Sequence, residues 1–176
     1  MRPSAFARWA AMAFVFRKFG VSFEMIRHGS VLALVPMWFL AVYLLVVLLV
    51  PVTHAAWRRF GLRSFWALVA LAAIFDVLRF RDGHQPAVAW VNYVFVWCAV
   101  HQLGYLWRDG RLAGPRRALP WFVGGALAWA LLNRYAPYPI SMVGVPGEEI
   151  SNTSPPDLLL LAFGTAQVGL ALAIEG

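Results

Sequence analysis

Charged side chains are scarce in this sequence. Asp, Glu, Lys and Arg make up 13% of its 176 residues, about half the roughly 25% usual for soluble domains. With 61% hydrophobic residues and a mean hydropathy of +0.67, a chain of this length could not hide its apolar surface from water. Cysteine is almost absent: Cys98 stands alone, so there is no disulfide framework and no signal about redox compartment. Placed in the middle of an apolar run, its thiol reads as a small inert side chain. A Walker loop, GxGxxG, HExxH, GxSxG and any paired CxxC are also missing, which removes the usual templates of soluble enzymes. No metal-ligand set stands out either. The net charge of +7 does not imply nucleic-acid binding, because the basic residues fall in short blocks between apolar stretches, as in the loops of membrane proteins.

What is abundant is long apolar sequence. Residues 87–107 (AVAWVNYVFVWCAVHQLGYLW) carry no formal charge with His101 neutral, and as a helix they would measure about 30 Å, the thickness of a bilayer core. Tyr93, Trp97, His101 and Tyr105 recur every four residues and share one slowly drifting stripe, with Asn92 on another face. Residues 32–52 form another uncharged run, with Pro36 and Pro51 placed to kink or cap it. Weaker spans are expected over 62–80, where Arg63 must snorkel and Asp76 must be neutralised, and over 118–133, where Gly124, Gly125, Ala126 and Ala128 suit close helix packing. A last span covers 158–174, with Asp157 as a partner for its N-terminal dipole. The expected fold class is therefore all-α: a polytopic membrane helix bundle of about five transmembrane helices. An interfacial helix with Phe6, Trp9, Phe14 and Phe16 in lipid would precede it. Residues 1–30 read as a basic, amphipathic arm and 31–176 as the membrane domain, with a polar loop over 135–156.

Basic residues bear on topology. Counted on alternating sides of five spans, Lys and Arg fall eight against seven, whereas the positive-inside rule normally leaves a clear excess. With the first thirty residues set aside the loops read seven against three. The blocks at Arg58, Arg59, Arg63 and at Arg108, Arg111, Arg116, Arg117 then become cytoplasmic, and the loop holding Glu148 faces outward.

Polar side chains inside such a bundle are the candidate site residues. His101 is the best candidate for acid/base work, since an imidazole titrates near neutrality; it reads equally as a span histidine bonded to a neighbouring helix. Asp76 and Arg79, three apart on one helix face, can form an ion pair at the membrane boundary or face a substrate cavity. Glu148 and Glu149 offer carboxylates for proton transfer or for sugar hydroxyls, or make a solvated acidic loop. Ser151, Asn152 and Thr153 before Pro155 and Pro156 suit turn and capping chemistry as much as a site.

Three stretches carry a family resemblance: 36–44 (PMWFLAVYL), 92–112 (NYVFVWCAVHQLGYLWRDGRL) and 141–156 (SMVGVPGEEISNTSPP). Together they resemble the acyltransferase 3 family of bacterial multi-pass membrane O-acyltransferases, especially its actinobacterial members, from about Gly29 to the end of the chain. The resemblance implies transfer of an acyl group, often acetyl from a cytoplasmic acyl-CoA, to hydroxyls of carbohydrates or glycolipids. The implied partners are the lipid bilayer, the acyl donor and that acceptor; no bound cofactor and no nucleic acid are expected. The family carries its catalytic histidine on the first transmembrane helix, with an arginine eleven residues before it. Arg17 and His28 have that spacing, but Lys18, Glu24 and Arg27 lie near or between them, so the match is taken as coincidence. Family members are about twice as long, so the chain reads as truncated at both ends. On this reading Asp76, Arg79, Asn92, His101, Glu148, Glu149 and Asn152 line a substrate, and no catalytic base is assigned. The alternative is a non-catalytic multi-pass protein, transporter-like or a partner subunit, that uses the same polar stripe for permeation or docking. Inverted repeats would favour transport, and the spans show no internal repeat.

Overall fold

The computed structural model describes residues 10, 14, 15, 23–81, 86–142 and 151–175. Glu148, Glu149 and most of the expected interfacial helix lie outside them. The described residues form α1 (Phe23–Phe60), α2 (Leu62–Arg81), the four-residue α3 (Pro86–Ala89), α4 (Asn92–Arg108), α5 (Pro115–Tyr135) and α6 (Leu158–Glu175). Among them there is no strand, only an isolated bridge between Thr153 and Pro156. The fold is all-α, with helix over all five expected spans; the central one, expected as a single helix over 87–107, is broken by a turn at Trp90 and Val91 into α3 and α4.

Among the described residues, three stretches are long and apolar enough to cross a membrane: Trp38–Phe60, Ala87–Arg108 and Leu158–Glu175. The other two long helices have the length, 20 and 21 residues or about 30 Å. They carry more charge, with Arg63, Asp76, Arg79 and Arg81 on α2 and Arg116, Arg117 and Arg134 on α5. Pro36 and Pro51 both lie inside α1, so Pro51 does not end the helix.

The chain divides into two compact units, residues 1–44 and 45–176. The first contains the helical run from Phe23 to Leu44. The second contains the rest of α1 and all later helices. Within it α4 packs against both α2 and α6, and α5 lies along α6. Its core is built from Trp57, Phe65, Val96, Ala99, Leu103, Leu106, Leu112 and Leu161. Leu48, Val52, Val77, Leu127 and Ile174 point outward and are exposed, an apolar surface suited to lipid.

Glycine decides two features of this unit. The end of α4 is a Schellman motif: Gly110, at φ 71°, donates to Trp107 O (2.9 Å) while Arg111 N reaches Leu106 O (2.9 Å). The left-handed residue at this position closes the helix and satisfies its last carbonyls. Where α5 crosses α6, a Cβ on Gly125 would sit 2.5 Å from Ala166 N and 2.8 Å from Ala162 O, and one on Gly169 would strike the backbone of Phe122. Backbones can approach this closely only where side chains are absent. Of the small residues expected to pack, Gly125 lies at the crossing, whereas Gly124 looks into open space.

Candidate functional site

Polar groups gather at two ends of the 45–176 unit, and α4 connects them. At one end the last turns of α2, the first turn of α4 and the entrance of α6 meet around Asp76, which is 2% exposed. One carboxylate oxygen accepts from Asn92 Nδ2 (2.8 Å), and the other accepts from the Tyr138 hydroxyl (2.7 Å) and from Leu158 N (2.7 Å). Burying a carboxylate is costly unless donors replace its water, and three donors do so here. Leu158 N is one of the unpaired amides that open a helix, so the α6 dipole also favours the negative charge.

Asp157 caps the same helix. Its Oδ1 accepts from Leu160 N (3.1 Å), the arrangement by which an N-cap residue satisfies the third helical amide. Burial pushes its carboxyl up to about 8, the nearby Asp76 charge adds to the rise, and Leu160 N–H and Arg79 oppose it. Burial likewise raises the Tyr138 phenol, followed by the Asp76 charge.

The expected Asp76–Arg79 ion pair is not formed. Asp76 spends its oxygens on Asn92, Tyr138 and Leu158, while the Arg79 guanidinium stands over the Phe80 ring at 5.4 Å. Around this cluster several buried polar atoms have no protein partner: Arg79 Nη1, Asn92 Oδ1 and Asp157 Oδ2. Together they offer a donor, Arg79 Nη1, an acceptor, Asn92 Oδ1, and a carboxyl oxygen, Asp157 Oδ2, that carries a proton below about pH 8.

Asn152 does something different. Its amide donates to Pro139 O and Ser141 O, both at 2.7 Å, and so pins the residues after α5 to those before α6. Tyr93 meets this loop as well, its hydroxyl 3.0 Å from Ser154 Oγ. The tyrosine begins the stripe anticipated on α4, which runs on through Trp97 and His101 to Tyr105, about 18 Å along the axis. His101 stands edge-on to Tyr105 (5.0 Å between centroids), and its Nδ1 is buried without a partner. On another face of α4, Gln102 Oε1 lies 3.1 Å from Ser64 Oγ.

At the other end Tyr105 meets Thr53 Oγ1 (3.2 Å) and the ring of His54 (5.5 Å). Here a hollow of about 620 Å³ is lined by His54, Trp57, Arg58, Gly61, Arg108, Asp109 and Arg111. The Trp57 indole donates to Asp109 Oδ2 (2.7 Å), and Arg108 grips Asp109 Oδ1 through Nε (3.2 Å) and Nη2 (3.1 Å). The Trp57 hydrogen bond above all, then Arg108, holds the Asp109 carboxyl below its usual range.

The sequence singles out Asp76, Arg79 and Asn92 separately, and the structure brings Asn92 onto Asp76; the sequence marks Asp157 only as a dipole partner of the last helix and does not anticipate Tyr138 or the basic hollow. An acid directly before an apolar helix is a recognisable signal, whereas nothing local links Tyr138 to a carboxylate 62 residues away. Among the described residues no group of His, Cys, Asp and Glu could hold a metal ion. No curated protein and no solved structure matches the chain. A family model, the acyltransferase domain of the acyltransferase 3 type, matches residues 5–176 and so takes in much of the N-terminal arm that the sequence resemblance left out. The chain is an acyltransferase-family membrane protein, a member of the acyltransferase 3 family.

Proposed function

We propose that this protein is a multi-pass protein of the cell membrane that moves an acyl group, acetyl in the simplest case, from acyl-CoA to a hydroxyl of a carbohydrate or glycolipid. The observation that carries this reading is the set of unpartnered buried atoms around Asp76: Arg79 Nη1, Asn92 Oδ1 and Asp157 Oδ2. A hydroxyl both donates and accepts hydrogen bonds, so an alcohol acceptor complements this set. Asp76, its own oxygens occupied, orients Asn92 and Tyr138. Asn152 fixes the loop, and Glu148 and Glu149 supply further acceptors for hydroxyl groups.

Acyl transfer breaks the thioester C–S bond and forms an ester C–O bond. The hydroxyl proton leaves to a base and ends on the departing thiol. His101 suits the base, because its Nδ1 is free and it lies on the stripe joining the two polar ends. The experiment is mass spectrometry of glycolipids and surface carbohydrates from cells carrying the full chain, an Asn92→Ala variant or an empty vector. Base-labile acetyl esters above the vector background, reduced at least tenfold by Asn92→Ala in protein that still folds by circular dichroism, support the reading. Acetylation equal to the vector contradicts it.

A further inference from the structure

We infer that the groove between α2, α5 and α6 holds the hydrocarbon tail of the acceptor, which makes that acceptor a glycolipid rather than a free carbohydrate. The identity of this ligand rests on the acyl-transfer reading. The groove encloses about 500 Å³, within the roughly 300–1,000 Å³ of ligand pockets. Along α5 it runs from Pro120 to Leu132, about 18 Å of helix. That is close to the depth of one bilayer leaflet, about 15 Å of hydrocarbon.

The lining suits hydrocarbon. Besides the indole nitrogens of Trp66 and Trp121, its one polar side chain is Thr165, whose hydroxyl donates to Leu161 O at 2.7 Å. A sugar in this groove would lose water without gaining partners. One end is walled by aromatic rings: Phe65 stands edge-on to Trp121 (5.5 Å between centroids) and Trp66 stacks on Trp121 (6.4 Å), pairings that hold the flat apolar faces in place. Helix packing alone does not account for the open space. Gly125 is required at the crossing, where a Cβ would strike Ala162 and Ala166. Gly124 is not: a Cβ there meets nothing within 4 Å, and glycine inside a helix costs about 1 kcal/mol relative to alanine. Its missing side chain widens the groove, as does the small Ala128 one turn later.

What selects the acceptor over any other bilayer lipid is where the groove begins. Leu158 lines it, and the amide of the same residue is bound to Asp76 Oδ2, inside the cluster proposed to hold the acceptor hydroxyl. From there Leu158, Leu161, Ala162 and Thr165 carry one face of α6 along the groove, about 10 Å. A lipid with its sugar at the Asp76 cluster therefore finds room for its tail directly beside it. No residue that lines the basic hollow lines this groove.

The test uses the full chain in vesicles of phosphatidylcholine and phosphatidylglycerol, with a diglucosyl diacylglycerol that carries a diazirine in one fatty chain. After illumination the labelled peptides are mapped by mass spectrometry, and phosphatidylcholine with the same diazirine chain serves as the control lipid. We expect the glycolipid label to concentrate on residues 120–132 and 158–165 and to be displaced by unlabelled glycolipid. It should fall at least tenfold in Gly124→Phe, which fills the groove, but not in Leu127→Phe, an exposed neighbour outside the lining. Label spread over all lipid-facing helices, equal labelling of the groove by phosphatidylcholine, or an unlabelled groove, as a second copy of the chain covering it would give, overturns the inference. The wild-type map decides even where Gly124→Phe does not fold. Acetyl transfer measured on the same vesicles keeps the two readings apart: groove label without transfer counts against acyl transfer alone, and transfer without groove label counts against the groove alone.

Discussion

Asp76 on α2 accepts the backbone amide of Leu158, the first residue of α6, at 2.7 Å across 82 residues of sequence. One carboxylate thus closes the entrance of the last helix while holding Asn92 of α4 and Tyr138 of the preceding loop. Sequence distance makes this bond a tertiary lock.

Replacing Asp76 by Ala leaves three donors buried and unpaired, each costing about 1–3 kcal/mol. We expect Asp76→Ala to lose about 3 kcal/mol or more. Asp76→Asn, which keeps an acceptor oxygen, loses less. Thermal unfolding of the detergent-solubilised chain followed by circular dichroism checks the order.

Close packing of α5 on α6 predicts a sharp contrast between adjacent glycines. Gly125→Ala forces a methyl against the backbone of Ala162 and Ala166, an overpacking cost of about 1–3 kcal/mol. Gly124→Ala meets nothing within 4 Å and gains helix propensity of about 1 kcal/mol. Melting temperatures of the two variants should move in opposite directions.

The Asp157 carboxyl, raised from 3.8 to about 8 by folding, gives stability a definite pH slope. Between those values the folded state holds a proton that the unfolded state has released, so this group's contribution weakens as pH rises from about 4 to about 8. Asp157→Asn keeps an acceptor for Leu160 and should flatten this part of the profile. Unfolding midpoints at several pH values, wild type against variant, measure it.

Topology is testable because Cys98 is 1% exposed and gives little background. With seven basic residues of 31–176 on the side of the basic hollow and three on the other, Ser154→Cys should react with an impermeant maleimide on intact cells. Arg116→Cys should react only after permeabilisation. The reverse pattern would invert the assignment of sides.

Much of this was legible in the residues themselves. Uncharged runs such as 87–107 announced helices by length alone, and the four-residue spacing of Tyr93, Trp97, His101 and Tyr105 marked the polar face of α4 before any contact was known. Asp76 and Arg79 stand out because charge inside an apolar helix must find a partner, and Asn92 because it is a polar side chain in an uncharged span. The partner itself was not legible. Helix spacing pointed Asp76 at Arg79, yet tertiary donors from Tyr138 and Leu158 took the carboxylate instead, and no local pattern encodes a bond between residues so far apart. The hollow escaped notice for the same reason: Arg58 and Arg111 read as separate loop charges until the ends of α1 and α4 bring them together.

Acyl transfer itself is tested most directly with the full chain in proteoliposomes, supplied with radiolabelled acetyl-CoA on the side of the basic hollow and a glycolipid acceptor in the bilayer. The account predicts that label appears in the acceptor as a base-labile ester, and that His101→Ala or Asn92→Ala lowers its rate at least tenfold. Label confined to acetyl-CoA and free acetate, with the acceptor unmodified in folded wild-type protein, would contradict it.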